Sequence, residues 1–319
     1  MLLKRLFTRR HLPKLLNLIP WSEQIIKKIE IKRGLYQYPD KMLGRKLPFY
    51  DNQDVNGEKT DVLVFAAHAD DEILGLGATL YRHSQKRDNI KIVYTTNGSA
   101  DWFGAQSWNI RADTSKKRAE KRYREGVKAL SLLNIPKENI FCLGYPDGGT
   151  QRYLTNMSDD VKNLLQTFNP EKVYVHSVEG GHIDHDITSF VVKYTCEKIG
   201  YRNVFEWAEY HRKQPIGTKE IIFLPNPFTT IDETIIDISE EERNLKKIML
   251  SCHISQDIEQ FYTQGEAIRR ANLSNLAIEL YTYCKLPKFK LKSIVKRFTL
   301  TDKSPSNERE EVKEWKENF

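Results

Sequence analysis

The run HADDE puts His68, Asp70, Asp71 and Glu72 within five positions, directly after the apolar stretch VLVFAA. Neighbouring carboxylates repel, so such a cluster is costly unless a cation or a shared proton offsets the repulsion. A divalent metal supplies that cation: a catalytic zinc takes three protein ligands and keeps a fourth position for water. His68 and Asp71 are three apart, so at a strand-to-helix turn both can reach one ion. The remaining ligand must come from elsewhere in the chain. The segment GGHIDHD offers His182 and His185, spaced i,i+3 at an expected helix start and therefore on one face.

These two clusters need a scaffold that brings them together. From Asp61 onward the pattern alternates apolar strands with helices: VLVFAA, a helix over 72–86, IKIVYTT, an amphipathic helix over 113–133, NIFCLGY, KVYVHS and a helix over 185–198. Strand–helix alternation of this kind predicts an α/β, Rossmann-like fold, a mostly parallel sheet with helices on both faces. Ligands in such sheets bind beyond the carboxyl ends of the strands. HADDE follows the first strand and residues 176–185 follow the fourth, so both clusters are expected at one edge. Further strands are expected at NVFEWAEY, KEIIFLP and ETIIDI, then a helix over 239–252. The domain reading is a basic N-terminal extension over 1–58, a catalytic domain over 59–285 and a charged C-terminal tail over 286–319.

The 319 residues are 39% hydrophobic and 11% aromatic, enough for a substantial core. Residues 1–34 hold nine Lys or Arg and two Glu, an excess equal to the formal net charge of the whole chain, +7. With Leu, Ile and Trp interleaved, this segment reads as a solvated arm packed by its apolar face, with peripheral membrane contact as the second expectation. No basic patch or recognised motif follows it, so nucleic acid is not an expected partner. No apolar run reaches the ~18–20 residues of a spanning helix, and the basic N-terminus lacks the apolar core of a secretory leader. Cys142, Cys196, Cys252 and Cys284 form no CxxC pair and read as reduced thiols. A cytoplasmic protein is expected, peripheral at the inner face of the membrane where residues 1–34 make contact.

HADDE followed by ILGLGATL resembles the HPDDE motif of the PIG-L/LmbE-type zinc-dependent N-deacetylases, a family with a Rossmann-like fold. Other blocks agree in order: TNG at 96–98, RxxE at Arg122–Glu125, LGYPDG at 143–148, GGHIDH at 180–185, DIS at 237–239 and CHISQ at 252–256. The resemblance spans roughly residues 61 to 256. It implies His68, Asp71 and His185 as ligands of one zinc per chain, although the same donors suit other divalent metals. It implies Asp70 as the general base and His182 as the group acting on the substrate carbonyl oxygen. Ala69 stands where the family usually has proline, which predicts a slightly looser turn with the chemistry retained.

Other residues carry weaker arguments. Asp147 in LGYPDGG is expected either to hydrogen-bond sugar hydroxyls or to form an Asx turn. Asn97, Trp102 and Arg111 lie on the long segment NGSADWFGAQSWNIRAD, which suits a substrate-binding lid. Glu72 is expected to orient the ligand turn, and His253 to support the site from behind. His176 reads as a core histidine or a pocket residue, and Arg122 with Glu125 as a structural ion pair.

The leading functional expectation is hydrolysis of an N-acetyl group from an amino-sugar substrate such as an N-acetylglucosamine conjugate, whether free, nucleotide-linked or lipid-linked. The alternatives are an amidase acting on another N-acylated small molecule or thiol conjugate, and a sugar-binding protein without turnover.

Overall fold

The computed structural model describes Ile19 and residues 22–35, 59–100, 110–225 and 232–301. The expected α/β architecture is present. Seven strands form one sheet in the order β3-β2-β1-β4-β5-β7-β6. They are β1 (Val62–Ala66), β2 (Ile90–Thr96), β3 (Ile140–Tyr145), β4 (Lys172–His176), β5 (Val204–Trp207), β6 (Glu233–Ile236) and β7 (Glu266–Arg270). The first five pair in parallel, while β7 runs antiparallel to both β5 and β6.

The helices are α1 (Ser22–Lys32), α2 (Asp71–Gln85), α3 (Ala112–Ser131), α4 (Leu154–Phe168), α5 (Ile183–Lys198), α6 (Glu240–Ser251), α7 (Leu276–Tyr283) and α8 (Lys288–Thr301). All of β1 is buried because both sheet faces are covered. Its side chains alternate between two cores. Leu63 and Phe65 join the core built with α4, α5, α7 and α8, while Val62, Val64 and Ala66 join the one built with α2, α3 and α6.

The strand order has a functional consequence. The chain passes from β1 to β2 on one side of β1, and β4 lies on the other side. That reversal is a topological switch point, where a crevice opens at the carboxyl ends of parallel strands. The turn after β1 and the start of α5 after β4 flank it.

Some elements differ from the sequence pattern. KEIIFLP forms no strand. Its polar groups are met by side chains: Ile222 N–H donates to Gln214, and the Leu224 carbonyl accepts from Arg269. The neighbouring sheet position is taken by β7, EAIRR, whose charges conceal its strand character. Glu266 and Arg269 are buried there because Lys246 and Glu206 pair with them. Of NVFEWAEY only Val204–Trp207 is strand. α4 crosses between β3 and β4, where no helix was expected. Within 286–319, α8 buries Leu291, Val295 and Phe298 against the first core.

A candidate metal centre at the switch point

His68 and Asp71 sit where β1 turns into α2, and His185 lies in the first turn of α5. The Asp71 Oδ2 atom is 3.2 Å from His68 Nδ1 and 3.3 Å from His185 Nε2, and these two nitrogens are themselves 3.3 Å apart. The three donor atoms thus make a nearly equilateral triangle. Donors ~2.0 Å from a single tetrahedral zinc stand roughly 3.3 Å apart, so the triangle has the size of one face of such a coordination shell.

The other side of His68 supports the same reading. Its Nε2 is 3.3 Å from both Asp147 Oδ1 and Asp184 Oδ2, so the ring can donate there and present Nδ1 toward Asp71 and His185. A carboxylate behind a ligating imidazole sets its tautomer and raises its basicity. Burial opposes the charged imidazole, yet Asp147 and Asp71 raise its pKa well above the usual histidine value. Three carboxylates around one buried ring call for positive charge at that point. Asp71 is likewise held well below its ordinary pKa: burial opposes this, and His185 and His68 prevail.

His182, His176 and Asp184 have donor atoms within 4.8 Å of members of this group. Their lone pairs are already engaged. His176 Nε2 accepts from Ala67 N–H at 3.0 Å, which directs its Nδ1 toward Glu209, 3.2 Å away. Asp184 accepts from Gly148 N–H, Thr150 N–H and the Thr150 hydroxyl. His182 caps α5, its Nδ1 accepting from Asp184 N–H at 3.2 Å. The proton of the neutral ring is therefore on Nε2. Burial keeps it neutral, lowering its pKa to about 4.

Asp70 stands beside the triangle and outside it. Its φ is 147°, strained for a residue with a Cβ, and its surroundings hold it there. Both carboxylate oxygens accept from Arg122, at 2.8 and 2.9 Å, and its N–H donates to Glu72. Burial raises the Asp70 carboxyl to about 6 against the pull of Arg122. Glu72 also accepts from the Tyr94 hydroxyl, and burial lifts its pKa to about 8. Gly98 permits the Arg122 position, because a Cβ there would lie 2.7 Å from Arg122 Cδ.

The triangle opens into a pocket of about 120 Å³ bounded by Leu74, Asp147, His182, Tyr210, Ile216 and Ile258. Asp147 forms part of that wall and accepts from Ala100 N–H. Asn97 is placed elsewhere: its side chain accepts from Ser99 N–H, and it borders a small cavity behind Ala69. Arg111 is exposed and pairs with Asp113 at the start of α3. Trp102 lies outside the described residues. His253 is buried behind the site, its pKa lowered by burial to about 3.

The expected Arg122–Glu125 ion pair is not what forms. Arg122 turns inward to Asp70, while Glu125 accepts from the N–H and hydroxyl of Ser255. Sequence reading also missed Glu209 and Tyr210, which follow β5 at the same sheet edge. Glu209 is fully buried, accepts from Trp207 Nε1, and is raised by burial to about 8. Their one sequence signal was position, at the end of an apolar strand.

Residues 63–196 match the profile of a family described as PIG-L, GlcNAc-PI de-N-acetylase. Within that segment the resemblance read from HADDE, TNG, RxxE, LGYPDG and GGHIDH is shown, while DIS and CHISQ lie beyond it, and the family is one of N-deacetylases. No curated protein matches the chain in sequence. Among solved structures, a deacetylase from the biosynthesis pathway of teicoplanin is 17% identical, with TM-score 0.53 over 67% of this chain and 99% of its own. A zinc-inhibited form of teicoplanin deacetylase is 16% identical, with TM-score 0.52 over 67% and 99%. A triple mutant of a teicoplanin-pathway deacetylase is 19% identical, with TM-score 0.51 over 66% and 97%. At these identities the likeness establishes the shared fold.

Proposed function

We propose that the protein is a metal-dependent N-deacetylase that hydrolyses the N-acetyl group of an amino sugar or its conjugate, releasing acetate and a free amine. One observation carries this reading: the 3.2–3.3 Å triangle of His68, Asp71 and His185, with an unligated carboxylate held beside it. These residues hold a divalent metal, taken as zinc and one per chain. When bound, such an ion polarises an amide carbonyl and makes water a better nucleophile near neutral pH.

The chain's own residues divide the remaining work. Asp70, fixed by Arg122, accepts a proton from the attacking water and returns it to the leaving nitrogen. His182 points its Nε2–H into the pocket, where it can stabilise the oxyanion of the tetrahedral intermediate. Leu74, Ile216 and Ile258 exclude bulk water around the acyl group. Asp147 and Arg122 line the wall where sugar hydroxyls would bind.

The pocket is small, about 120 Å³, which suits an acetyl group better than a long acyl chain. The related structures are of deacetylases in the biosynthesis pathway of teicoplanin, and the matched family is described as GlcNAc-PI de-N-acetylase. The family description supports an N-acetylglucosamine-type substrate. Four buried free cysteines support a cytoplasmic location, and the reading includes peripheral membrane contact through residues 1–34.

The test combines metal analysis with acetate release. The protein and an Asp70→Asn variant should each carry about one zinc per chain, and His185→Ala should lose it. Asp70→Asn should lower turnover on N-acetylhexosamines roughly 100- to 10,000-fold while still binding substrate. Retained turnover in Asp70→Asn, or activity confined to N-acyl amino acids, would overturn the reading.

A further inference from the structure

Both chain extensions bring a helix to the same place, and both helices sort their charges the same way. In α8, KFKLKSIVKRFTLT, there is no acidic residue. Leu291, Val295 and Phe298 face the core, and Lys290 turns inward to Ser22 and Glu23 of α1. The opposite side exposes Lys288, Lys292 and Lys296 at i, i+4 and i+8, a single stripe along the helix. Phe289 and Leu300 flank that stripe, 45% and 56% exposed.

α1 repeats the pattern. Its two acidic residues, Glu23 and Glu30, are buried against Arg152, while Ile25, Ile31 and Lys32 are exposed. Contact of Lys290 with Ser22 and Glu23 makes the two helices neighbours. Every exposed charge on them is positive, and four large apolar side chains stand out among those charges. Both helices lie outside the segment that matches the family profile.

We propose that the joint outer face of α1 and α8 docks on the headgroup region of an anionic phospholipid bilayer. Charge complementarity selects that occupant. Lysines attract anionic headgroups, and apolar side chains between them enter the boundary with the acyl chains. A second copy presenting the same face would meet its own positive charge. A nucleic acid would meet the lysines but leave Phe289, Leu300 and Ile31 in water. The proposal does not depend on the deacetylation chemistry, because its readout is binding alone.

The full-length protein is sedimented with vesicles of phosphatidylcholine alone, or with about one third phosphatidylglycerol, at about 0.1 M and about 0.5 M salt. Binding is expected only to the anionic vesicles and should weaken at the higher salt. The variant Lys288→Glu/Lys292→Glu/Lys296→Glu should lose at least ~100-fold in partitioning, since each basic residue contributes about fivefold. Phe289→Ser/Leu300→Ser should lose about tenfold with its charge intact. Both variants should melt at the parent temperature, because the substituted side chains are exposed. The proposal is overturned if the parent protein leaves anionic vesicles unbound or if the triple variant binds as well as the parent. It is equally overturned if the triple substitution instead dissolves a dimer, or if duplex DNA displaces the vesicles from the parent protein.

Discussion

Asp70 depends on Arg122 more than its place in HADDE suggests. The carboxylate sits on a strained φ, and one guanidinium nitrogen grips both of its oxygens. Arg122→Met should therefore lower turnover about 100-fold with metal content unchanged, because a misaimed base loses much of the advantage of positioning. Arg122→Lys should recover only part of it, since one ammonium can replace the Nη2 contacts to Asp70 but cannot also make the Nε–H bond to the Ala69 carbonyl. Steady-state acetate release with parallel metal analysis checks both; full activity in Arg122→Met would remove the clamp from the mechanism. The proposed ligand cluster was legible because His68, Asp70 and Asp71 stand close in sequence, where neighbouring carboxylates repel unless a cation or a shared proton offsets them. Arg122 was not, because its i,i+3 partner Glu125 offered a local explanation. Only the tertiary fold shows that Ser255 captures Glu125 and frees Arg122 to turn inward.

At the scale of the element, α2 carries Asp71 and Glu72 on a helix packed unusually close to the sheet. A Cβ on Gly75 would lie 2.2 Å from Trp207 Cδ1, and the Trp207 indole donates to Glu209 behind His176. Gly75→Ala should destabilise the fold by about 2–3 kcal/mol through overpacking, read by thermal melting; an unchanged melt would show that the indole can move aside. Next to Gly75, the Leu74 carbonyl accepts from Lys246, and one turn further on Ala78 and Thr79 donate to Glu266. This buried pair joins α2 to α6 and β7. Lys246→Met would leave the Glu266 carboxylate buried without its cation, at a cost on the order of 3–5 kcal/mol. The strands β1 to β4 were legible as apolar runs between turn residues. β7 was not, because its buried charges are satisfied by residues remote in sequence. KEIIFLP has the composition of a strand, but side chains rather than a neighbouring strand meet its backbone groups at Ile222 and Leu224.

At the scale of the whole molecule, the two extensions close on the catalytic fold through one buried ionic cluster. Arg152 donates to Glu30 through Nε and Nη2 and to Glu23 through Nη1, and Lys290 of α8 donates to the other Glu23 oxygen. Arg152 belongs to the short 3-10 turn Thr150–Arg152, whose Thr150 donates to Asp184 beside His68. The extension is thus continuous with the support of the site, which its basic composition alone did not reveal. Glu23 makes this testable by pH. Burial opposes its charged form, but Arg152 and then Lys290 more than reverse that, so its folded-state pKa lies below the ordinary 4.5. A carboxyl depressed in the folded state contributes stability that is fully present above about pH 4.5 and is lost as pH falls through the lowered value. Glu23→Gln should accordingly be less stable than the parent by on the order of 3 kcal/mol at pH 7, where Lys290 loses its buried counter-charge. Below about pH 4.5 the difference should shrink, because the parent then protonates the same carboxyl. Denaturant unfolding of both proteins across that range measures the gap. A gap that stays constant with pH would mean that Glu23 holds α1 by packing, and the ionic account of how the extensions join the core would have to be abandoned.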